Sequence, residues 1–421
     1  MSTKKQIPKG YKPSPLGPIP EDWEVKRLGE LGSFKNGLNF TPNEDGFSYY
    51  FLGVSDFQDK TDIHANELNQ IQLANELDKE YHLKEDDLVF VRSNGSKSLV
   101  GRCVIIHANH VKATYSGFCI RFRTTSEETS TRYIKHIIDA GYLQRFLQYE
   151  GRGTNITNLN QEILGRLTFP LPNLKEQQNI LNALSLWDTA IAKQTALIEQ
   201  LTLRKRGLMQ QLLTGKKRLK GFEGEWKRIK LGDIAERITR KNEENNQNVV
   251  TISAQRGFVV QTDFFNKSVA SEILDNYYLV HRDEFCYNKS YSNGYPMGAI
   301  KRLKTFDKAV VTTLYICFRL KEKLRTNIDF FEQYCESGLL NKELVKVANE
   351  GGRAHGLLNV TPDDFFNMHM GVPSFEEQTV IASVLVNADK EIEIQKQKLA
   401  AMQEQKKGLM QVLLTGERRI K

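Results

Sequence analysis

Gly207-Leu-Met-Gln-Gln-Leu-Leu-Thr-Gly215 and Gly408-Leu-Met-Gln-Val-Leu-Leu-Thr-Gly416 differ at a single position. They close a longer repeat: residues 172–220 set against 373–421, at a constant offset of 201 and without gaps, are identical at 19 of 49 positions. Unrelated segments of that length share only a few, so the chain carries an internal duplication, and a repeat outranks any local reading of a sequence. Both copies read as helices. Ile180, Leu184, Trp187, Ile191, Gln194, Ile198, Leu201, Lys205, Leu208 and Leu212 advance in alternating steps of four and three. Ile381, Leu385, Ala388, Ile392, Gln395, Leu399, Met402, Lys406, Leu409 and Leu413 do the same. That is a heptad seam with polar residues at the same two places in each copy. The seam is narrow and the other faces are polar, which fits a helix pair joining two modules better than two surface helices on separate cores. Gly215 and Gly416 stand where a C-terminal cap belongs. A helix from about Lys175 to Thr214 would be roughly 60 Å long at about 1.5 Å per residue.

Outside the helices the duplication continues more weakly. Trp23-Glu-Val-Lys-Arg-Leu-Gly-Glu-Leu31 matches Trp226-Lys-Arg-Ile-Lys-Leu-Gly-Asp-Ile234, and Asp86-Asp-Leu-Val-Phe-Val-Arg-Ser93 aligns with Asp283-Glu-Phe-Cys-Tyr-Asn-Lys-Ser290. Gly101 falls on Gly298. Stretches rich in β-branched and aromatic residues follow, 100–106 with 113–122 and 297–303 with 309–318, and read as strand hairpins. Helical stretches come next (132–149; 328–349), then glycine turns at Gly151-Arg-Gly153 and Gly351-Gly-Arg353. Thr361-Pro-Asp-Asp364 reads as a helix start, with a capping threonine and proline in the first turn. Each module is therefore α+β, and a chain of 421 residues holds two such cores plus the extended helices. The first helix continues through Lys220-Gly-Phe-Glu-Gly-Glu-Trp226; the equivalent of that continuation for the second helix is Gly17-Pro-Ile-Pro-Glu-Asp-Trp23. The chain behaves as a circle cut once, with its ends expected close together.

Composition narrows the class. Charged residues are 26% and hydrophobic ones 40%, the balance of a globular protein. Lys and Arg outnumber Asp and Glu by 59 to 51, giving +8, an excess that suits a polyanionic partner. Cys103, Cys119, Cys286, Cys317 and Cys335 form an odd set without a CxxC pair and read as reduced core thiols of a cytoplasmic protein. The polar, proline-bearing residues 1–20 resemble neither a signal peptide nor a membrane span, and no membrane association is expected.

A search for catalytic chemistry finds none. Gly95-Ser-Lys-Ser98 misplaces the lysine of a phosphate-binding loop and lacks its upstream glycine. Gly151 and Gly153 have no third glycine, and no Asn/Asp-Pro-Pro-Tyr/Phe tetrapeptide of an amino-methyltransferase occurs. Asp22, Glu24 and Lys26 superficially resemble a nuclease set, but the copy at Trp226 lacks them. Cys103, His107, His110 and Cys119 have zinc-ligand chemistry. Their counterparts, about Ile300, Lys304, Asp307 and Ile316, do not. The expectation is no catalytic residue, no metal and no cofactor in this chain.

What remains is binding. Arg92, Ser93, Asn94, Ser96 and Lys97 in one module, and Lys289, Tyr291, Asn293 and Tyr295 in the other, supply cations, amides and hydroxyls on short glycine-containing loops. Such groups reach phosphates and base edges. Ser55 and Gln58 pair with Gln255 and Arg256 as a second matched set, and Arg152, Asn155 and Asn158 with Arg353, His355 and Asn359 as a third. Any one of these fits an ordinary solvated turn. Three pairs that agree in position and differ in sequence are what two readers of different sequences need. The basic runs Arg204-Lys-Arg206, Lys216-Lys-Arg218 and Arg418-Arg419 lie near helix C-termini, where the helix dipole favours cations in any case.

The whole chain resembles the specificity subunit of type I restriction–modification enzymes. The resemblance rests on the Trp23–Gly29 and Trp226–Gly232 module starts, on Pro172…Glu176-Gln177 and Pro373…Glu377-Gln378, and on the Gly-Leu-Met-Gln-x-Leu-Leu-Thr-Gly helix ends. The resemblance implies two target-recognition domains (1–171 and 221–372) in a pseudo-two-fold arrangement, joined by two spacer helices (172–220 and 373–421) forming an antiparallel coiled coil. Its seam would be Ile180, Leu184, Trp187, Ile191, Ile198, Leu201, Leu208 and Leu212 against Ile381, Leu385, Ile392, Leu399, Met402, Leu409 and Leu413. It further implies that each domain reads one half of a split site in double-stranded DNA while helix length fixes the gap. Two methyltransferase subunits docked on the helices would bring S-adenosylmethionine, and two motor–nuclease subunits ATP and Mg. A coil of roughly 60 Å spans about 17 base pairs at ~3.4 Å each. Two other classes stay open at this point: an enzyme that modifies DNA by itself, and an adaptor that binds only proteins.

Overall fold

The computed structural model describes residues 7–41, 43, 45–58, 60–93, 99–150, 159–261, 274–321, 326–348 and 358–420. The chain falls into two compact units, 1–193 with 398–421, and 194–397. The first is built on a five-stranded sheet in the order Gly32–Asn36, Cys119–Thr124, Leu88–Val91, Cys103–His107, Asp62–His64. The strand Leu88–Val91 is buried on both faces, which is why it reads as an unbroken apolar run. Leu88 and Phe90 join Tyr133, Ile134 and Ile137 of the helix Thr131–Asp139 in one core. Val89 and Val91 join Leu52, Phe57 and Tyr115 in another. Beyond that second core lies a smaller sheet with Phe47–Leu52 between Gln70–Leu73 and Ala113–Tyr115, the latter parallel to it.

The second unit repeats the plan. Ala235–Ile238, Ile316–Leu320, Phe285–Asn288 and Ala299–Arg302 follow the order of their counterparts. Phe285 and Tyr287 face Phe330, Phe331 and Phe365 on one side, and Cys286 faces Ile252, Val280 and Val311 on the other. Asp86 and Asp283, at the turns that launch the central strands, both adopt left-handed backbone (φ 60° and 71°). A buried carboxylate follows each. Asp87 takes a bidentate Arg123 at 2.7 Å, and Glu284 takes Arg240 at 2.8 Å.

Two expectations about local structure fare differently. The start at Thr361 is as read: its hydroxyl accepts the Asp364 N–H at 3.2 Å and Pro362 opens the helix Pro362–Asn367. The hairpins are not. Cys103–His107 pairs with Leu88–Val91 and Asp62–His64, while Ala113–Tyr115 crosses to Phe47–Leu52, and Cys119–Thr124 returns between Gly32–Asn36 and Leu88–Val91. The apolar stretch 113–122 is two strands in two sheets, broken at 116–118. In the second unit Lys308–Val311 likewise pairs with Tyr278–His281 rather than with Ala299–Arg302. Strand alternation reports which face is buried, not which strand is the neighbour.

The long helices run from Leu174 to Leu212 and from Phe375 to Leu414. Within the first unit, residues 174–193 meet the second half of the other helix: Lys406 Nζ is 2.5 Å from Asp188 Oδ1. Within the second unit, Gln194 Nε2 donates to Gln395 Oε1 at 2.8 Å and Lys205 to Asp389 at 2.5 Å. In each unit the two segments run antiparallel. Of the expected seam, Ile180, Leu184, Leu201, Leu212, Ile381, Leu385, Ile392 and Leu413 are buried. Trp187, Ile191, Ile198, Leu208, Leu399, Met402 and Leu409 are half-buried. Both helices end at a left-handed glycine, Gly215 and Gly416 at φ 68° and 75°, whose N–H groups donate to Leu212 O and Leu413 O, and the Lys217 and Arg418 N–H groups reach back to Gln211 O and Val412 O.

The units also seat their helix ends alike. Arg218 forks onto Glu377 at 2.6 and 2.7 Å, and Arg419 forks onto Glu176 and Asp22. The expected closeness of the chain ends is seen at Tyr11, whose hydroxyl donates to Gly416 O at 2.8 Å. These pairs, with Arg204 to Glu391 and Lys205 to Asp389, use one or two cations of each basic run to hold elements together, while Arg206, Lys216, Lys217 and Arg418 are exposed.

Candidate nucleic-acid interface

One end of each central strand carries paired charges, Asp87 with Arg123 and Glu284 with Arg240; the other end carries the expected binding residues. In the first unit Arg92 and Ser93 follow Leu88–Val91 and are half-buried. The Arg92 N–H donates to Phe118 O at 2.8 Å, and its own carbonyl accepts the Leu159 N–H at 2.9 Å. Ser116 N–H donates to Leu52 O at 3.0 Å, just before the turn that bears Ser55 and Gln58. That turn is a single 3-10 segment, Val54–Asp56, fixed by Gly53 N–H on the Asp56 carboxylate at 2.8 Å. Phe57 is buried, so Ser55 and Gln58 are left exposed on either side of it. The turn 116–118 is thus the hub to which the first two loops are bonded, and Leu159 brings in the chain emerging from the third. Asn94, Ser96, Lys97, Arg152, Asn155 and Asn158 lie outside the described residues.

The second unit assembles the same rim. Lys289 follows Phe285–Asn288, and its carbonyl accepts the Leu358 N–H at 3.0 Å, one residue before the exposed Asn359. Gln255 and Arg256 form the tip between Val250–Ser253 and Gly257–Val260, where Gly257 takes φ 72°. Gln255 Nε2 donates to Asn293 O at 2.9 Å, and Asn288 Nδ2 to Ile252 O at 3.2 Å. The first two loops are therefore bonded to each other directly. Tyr291 and Asn293 are exposed. Burial and then the nearby Arg237 cation push the Lys289 ammonium below the ordinary lysine range. A half-buried cation beside a second cation is a place an anion relieves. Arg353 and His355 lie outside the described residues.

Tyr295 is placed differently from its neighbours. Its hydroxyl donates to Glu336 Oε2 at 2.9 Å and receives Lys301 Nζ at 3.2 Å, with the Lys301 ammonium 4.6 Å from the ring centre. Burial first, and the Glu336 carboxylate second, raise its phenol. The side chain is committed to an internal network, and Tyr291 rather than Tyr295 offers an aromatic surface to the outside.

The zinc alternative has no geometry. Cys103 belongs to one core of the sheet and Cys119 to the opposite one. His107 is held between Asp62 and Glu85 at 3.2 and 3.0 Å and stacks on His64 with ring centres 4.7 Å apart. Among the described residues no cluster of His, Cys, Asp or Glu is arranged to hold a metal ion, and no helix is long and apolar enough to cross a membrane.

Sequence reasoning missed Phe118 and Leu314. Both are exposed, by 53% and 57%, at equivalent turns next to Arg92 and Lys289. They lay inside stretches read as continuous strand; Ser116-Gly117 was the available sign of a break.

Comparison with known proteins gives a consistent answer. A family model described as "Type I restriction modification DNA specificity domain" matches twice, at residues 20–203 and 223–404. The provisionally named type I restriction enzyme MjaX specificity subunit of Methanocaldococcus jannaschii is 26% identical, over 98% of this chain and 97% of its own length. The StySPI specificity subunit of Salmonella potsdam is 31% identical over 48% of this chain and 43% of its own length. A solved chain from work titled as the structural basis of complex assembly and conformational transition of the type I R-M system shares the fold. Its TM-score is 0.59 at 15% identity, over 95% of this chain and 99% of that one.

Proposed function

This chain belongs to the type I restriction–modification DNA specificity family, a family of non-catalytic subunits with two target-recognition domains, and from that premise we propose that each domain reads one half of a bipartite site in double-stranded DNA. The observation that carries the proposal is the repeated rim. Arg92 and Lys289 end equivalent strands, the first two loops are tied together in each unit, through the turn 116–118 in the first and directly by Gln255 and Asn293 in the second, and the residues at the loop tips differ. A shared scaffold fixes the position of the readers; divergent tips fix what is read. Ser55, Gln58, Arg92 and Ser93 serve the first half-site, and Gln255, Arg256, Lys289, Tyr291, Asn293 and Asn359 the second. Tyr295 steadies the second rim from behind.

In the same proposal the domains span 1–171 and 221–372, the spacer segments 172–220 and 373–421, and the helices set the unread gap. Two methyltransferase subunits dock on the helices, where Leu186, Leu203 and Ile394 are 71%, 63% and 60% exposed and lie off the seam. These partners carry S-adenosylmethionine, and two motor–nuclease subunits carry ATP and Mg, in the cytoplasm.

The test is an exchange. Residues 235–371 are replaced by those of a relative, the chain is co-expressed with its methyltransferase partner, and methylated sites are mapped by sequencing. One half of the methylated motif changes and the other stays. If both halves move, or neither, modular reading is wrong. A purified chain that modifies DNA alone, or one that shows no DNA affinity even with the methyltransferase present, overturns the proposal in favour of an enzyme or a protein adaptor respectively.

A further inference from the structure

In the first unit the turn 116–118 is capped by its own serine: Ser116 Oγ accepts the Phe118 N–H at 3.2 Å, and Ser116 O accepts the Cys119 N–H at 2.9 Å. In the second unit Thr312 Oγ1 accepts the Leu314 N–H at 3.3 Å and Thr312 O accepts the Tyr315 N–H at 3.3 Å. The two turns are the same device at the same place in two diverged copies. Their tips should be polar, since a solvated tight turn has no use for an apolar side chain. Instead they present Phe118 and Leu314, each more than half exposed.

One exposed apolar residue is ordinary. Two at equivalent positions, each beside the cation that ends the central strand, are not accounted for by packing. The Phe118 carbonyl holds the Arg92 N–H directly. Continuing the register of Tyr287 opposite Ile316 puts Lys289 opposite Leu314. Both turns are rigidly backed. A Cβ on Gly117 would sit 2.5 Å from Asn39 Oδ1, and the Tyr315 hydroxyl is 3.1 Å from Thr251 Oγ1. An apolar tip on a stiff turn, next to a cation, matches the two parts of a base pair's surroundings: phosphate for the cation, and a base edge or thymine methyl for the apolar group. Leucine cannot stack as an aromatic ring does, so what the two copies share is apolar bulk.

We propose that Phe118 and Leu314 are specificity-determining apolar contacts, each packing against base edges in a groove of the double-stranded DNA read by its own domain. This rests on the DNA-reading role proposed above for the same rim and names a contact that role did not include.

The experiment uses the full chain co-expressed with its methyltransferase partner and reads genome-wide methylation by sequencing, for F118A, L314A, F118L, R92A and K289A. F118A lowers methylation about tenfold or more at the weaker sites and admits additional bases at one or two positions of one half-site, leaving the other half as before. L314A does the same to the opposite half, and F118L restores most of the loss. Melting temperatures of F118A and L314A stay within about 2 °C of the parent, because the side chains removed are exposed. If F118A and L314A leave motif and occupancy unchanged while R92A and K289A reduce them, the apolar contact is refuted and the reading face stands. If none of the four alanine variants changes anything, the reading face itself is refuted.

Discussion

His136 and Gln333 occupy equivalent places on the helices Thr131–Asp139 and Ile328–Glu336, and the pair shows how one residue type alters a conserved joint. Gln333 Nε2 donates to Asp389 Oδ2 at 2.7 Å, and Asp389 also holds Lys205. In the first unit Asp188 holds Lys406, but the His136 Nδ1 is buried without a hydrogen-bond partner. Burial depresses the imidazole, with Lys406 and Lys135 adding to the effect and Asp139 and Asp188 opposing it. The unfolded chain therefore takes up a proton first as the pH falls through about 6.5, and the first unit loses stability below that pH. H136Q removes this loss and supplies the amide that Gln333 provides. Its melting temperature should fall less between pH 7 and 5.5 than that of the parent; an equal fall would show that His136 is not the responsible group. His107 has the opposite sign. Burial lowers it, but Asp62 and Glu85 outweigh burial and the net shift is upward. Its contribution is present below about pH 6.5 and fades as the pH rises through its folded value. H107A should cost stability at pH 6 and progressively less in alkaline buffer, by thermal melting. The sequence showed both histidines and no reason to treat them differently; the reason is the carboxylates on either side of one and their greater distance from the other.

Among elements, the helices were the most legible. A range of about 175–214 read from the seam compares with Leu174–Leu212 found, because heptad spacing is a property of one segment and needs no partner to be seen. The strands were read as present but joined wrongly, since the sheet partner of Ala113–Tyr115 is Phe47–Leu52, some sixty residues earlier. The rim was legible only through the duplication, which marked matching loops; it could not mark Phe118, an apolar residue in an apolar run. Helix phase yields a prediction at this scale. Gln194 and Gln395 meet as a polar pair in the seam, and such a pair holds register because any slip leaves buried amides unmatched. Duplicating residues 191–197 in one helix and 392–398 in the other keeps the seam in phase and, because the segments are antiparallel, sets each original glutamine opposite the copy of the other. It should lengthen the unread gap in the methylated motif by about three base pairs with both half-sites intact. Inserting four residues in one helix alone should abolish methylation, and an unchanged gap in the seven-residue variant would remove the helices from any measuring role.

At the scale of the whole molecule, the duplication was visible at once, but the composition of each unit was not. The first takes in 398–421 and the second is continuous from 194 to 397. Leu413 and Leu414 are buried in the same core as Trp23, Phe90 and Leu184. Leucines buried this way are worth about 2–5 kcal/mol each when cut to alanine, so removing 405–421 should unfold the first unit while leaving the second protected. Hydrogen exchange read peptide by peptide distinguishes this from even loss across the chain, which would contradict the division. The seating of the last residues against Tyr11 and Asp22 has a consequence for how the protein is made. A ribosome delivers the first domain early, yet that domain's core is complete only when the final leucines have left the exit tunnel. The unit begun first is thus completed only after residues 194–397 have emerged, so a chain stopped before Leu413 exposes its N-terminal core to proteases.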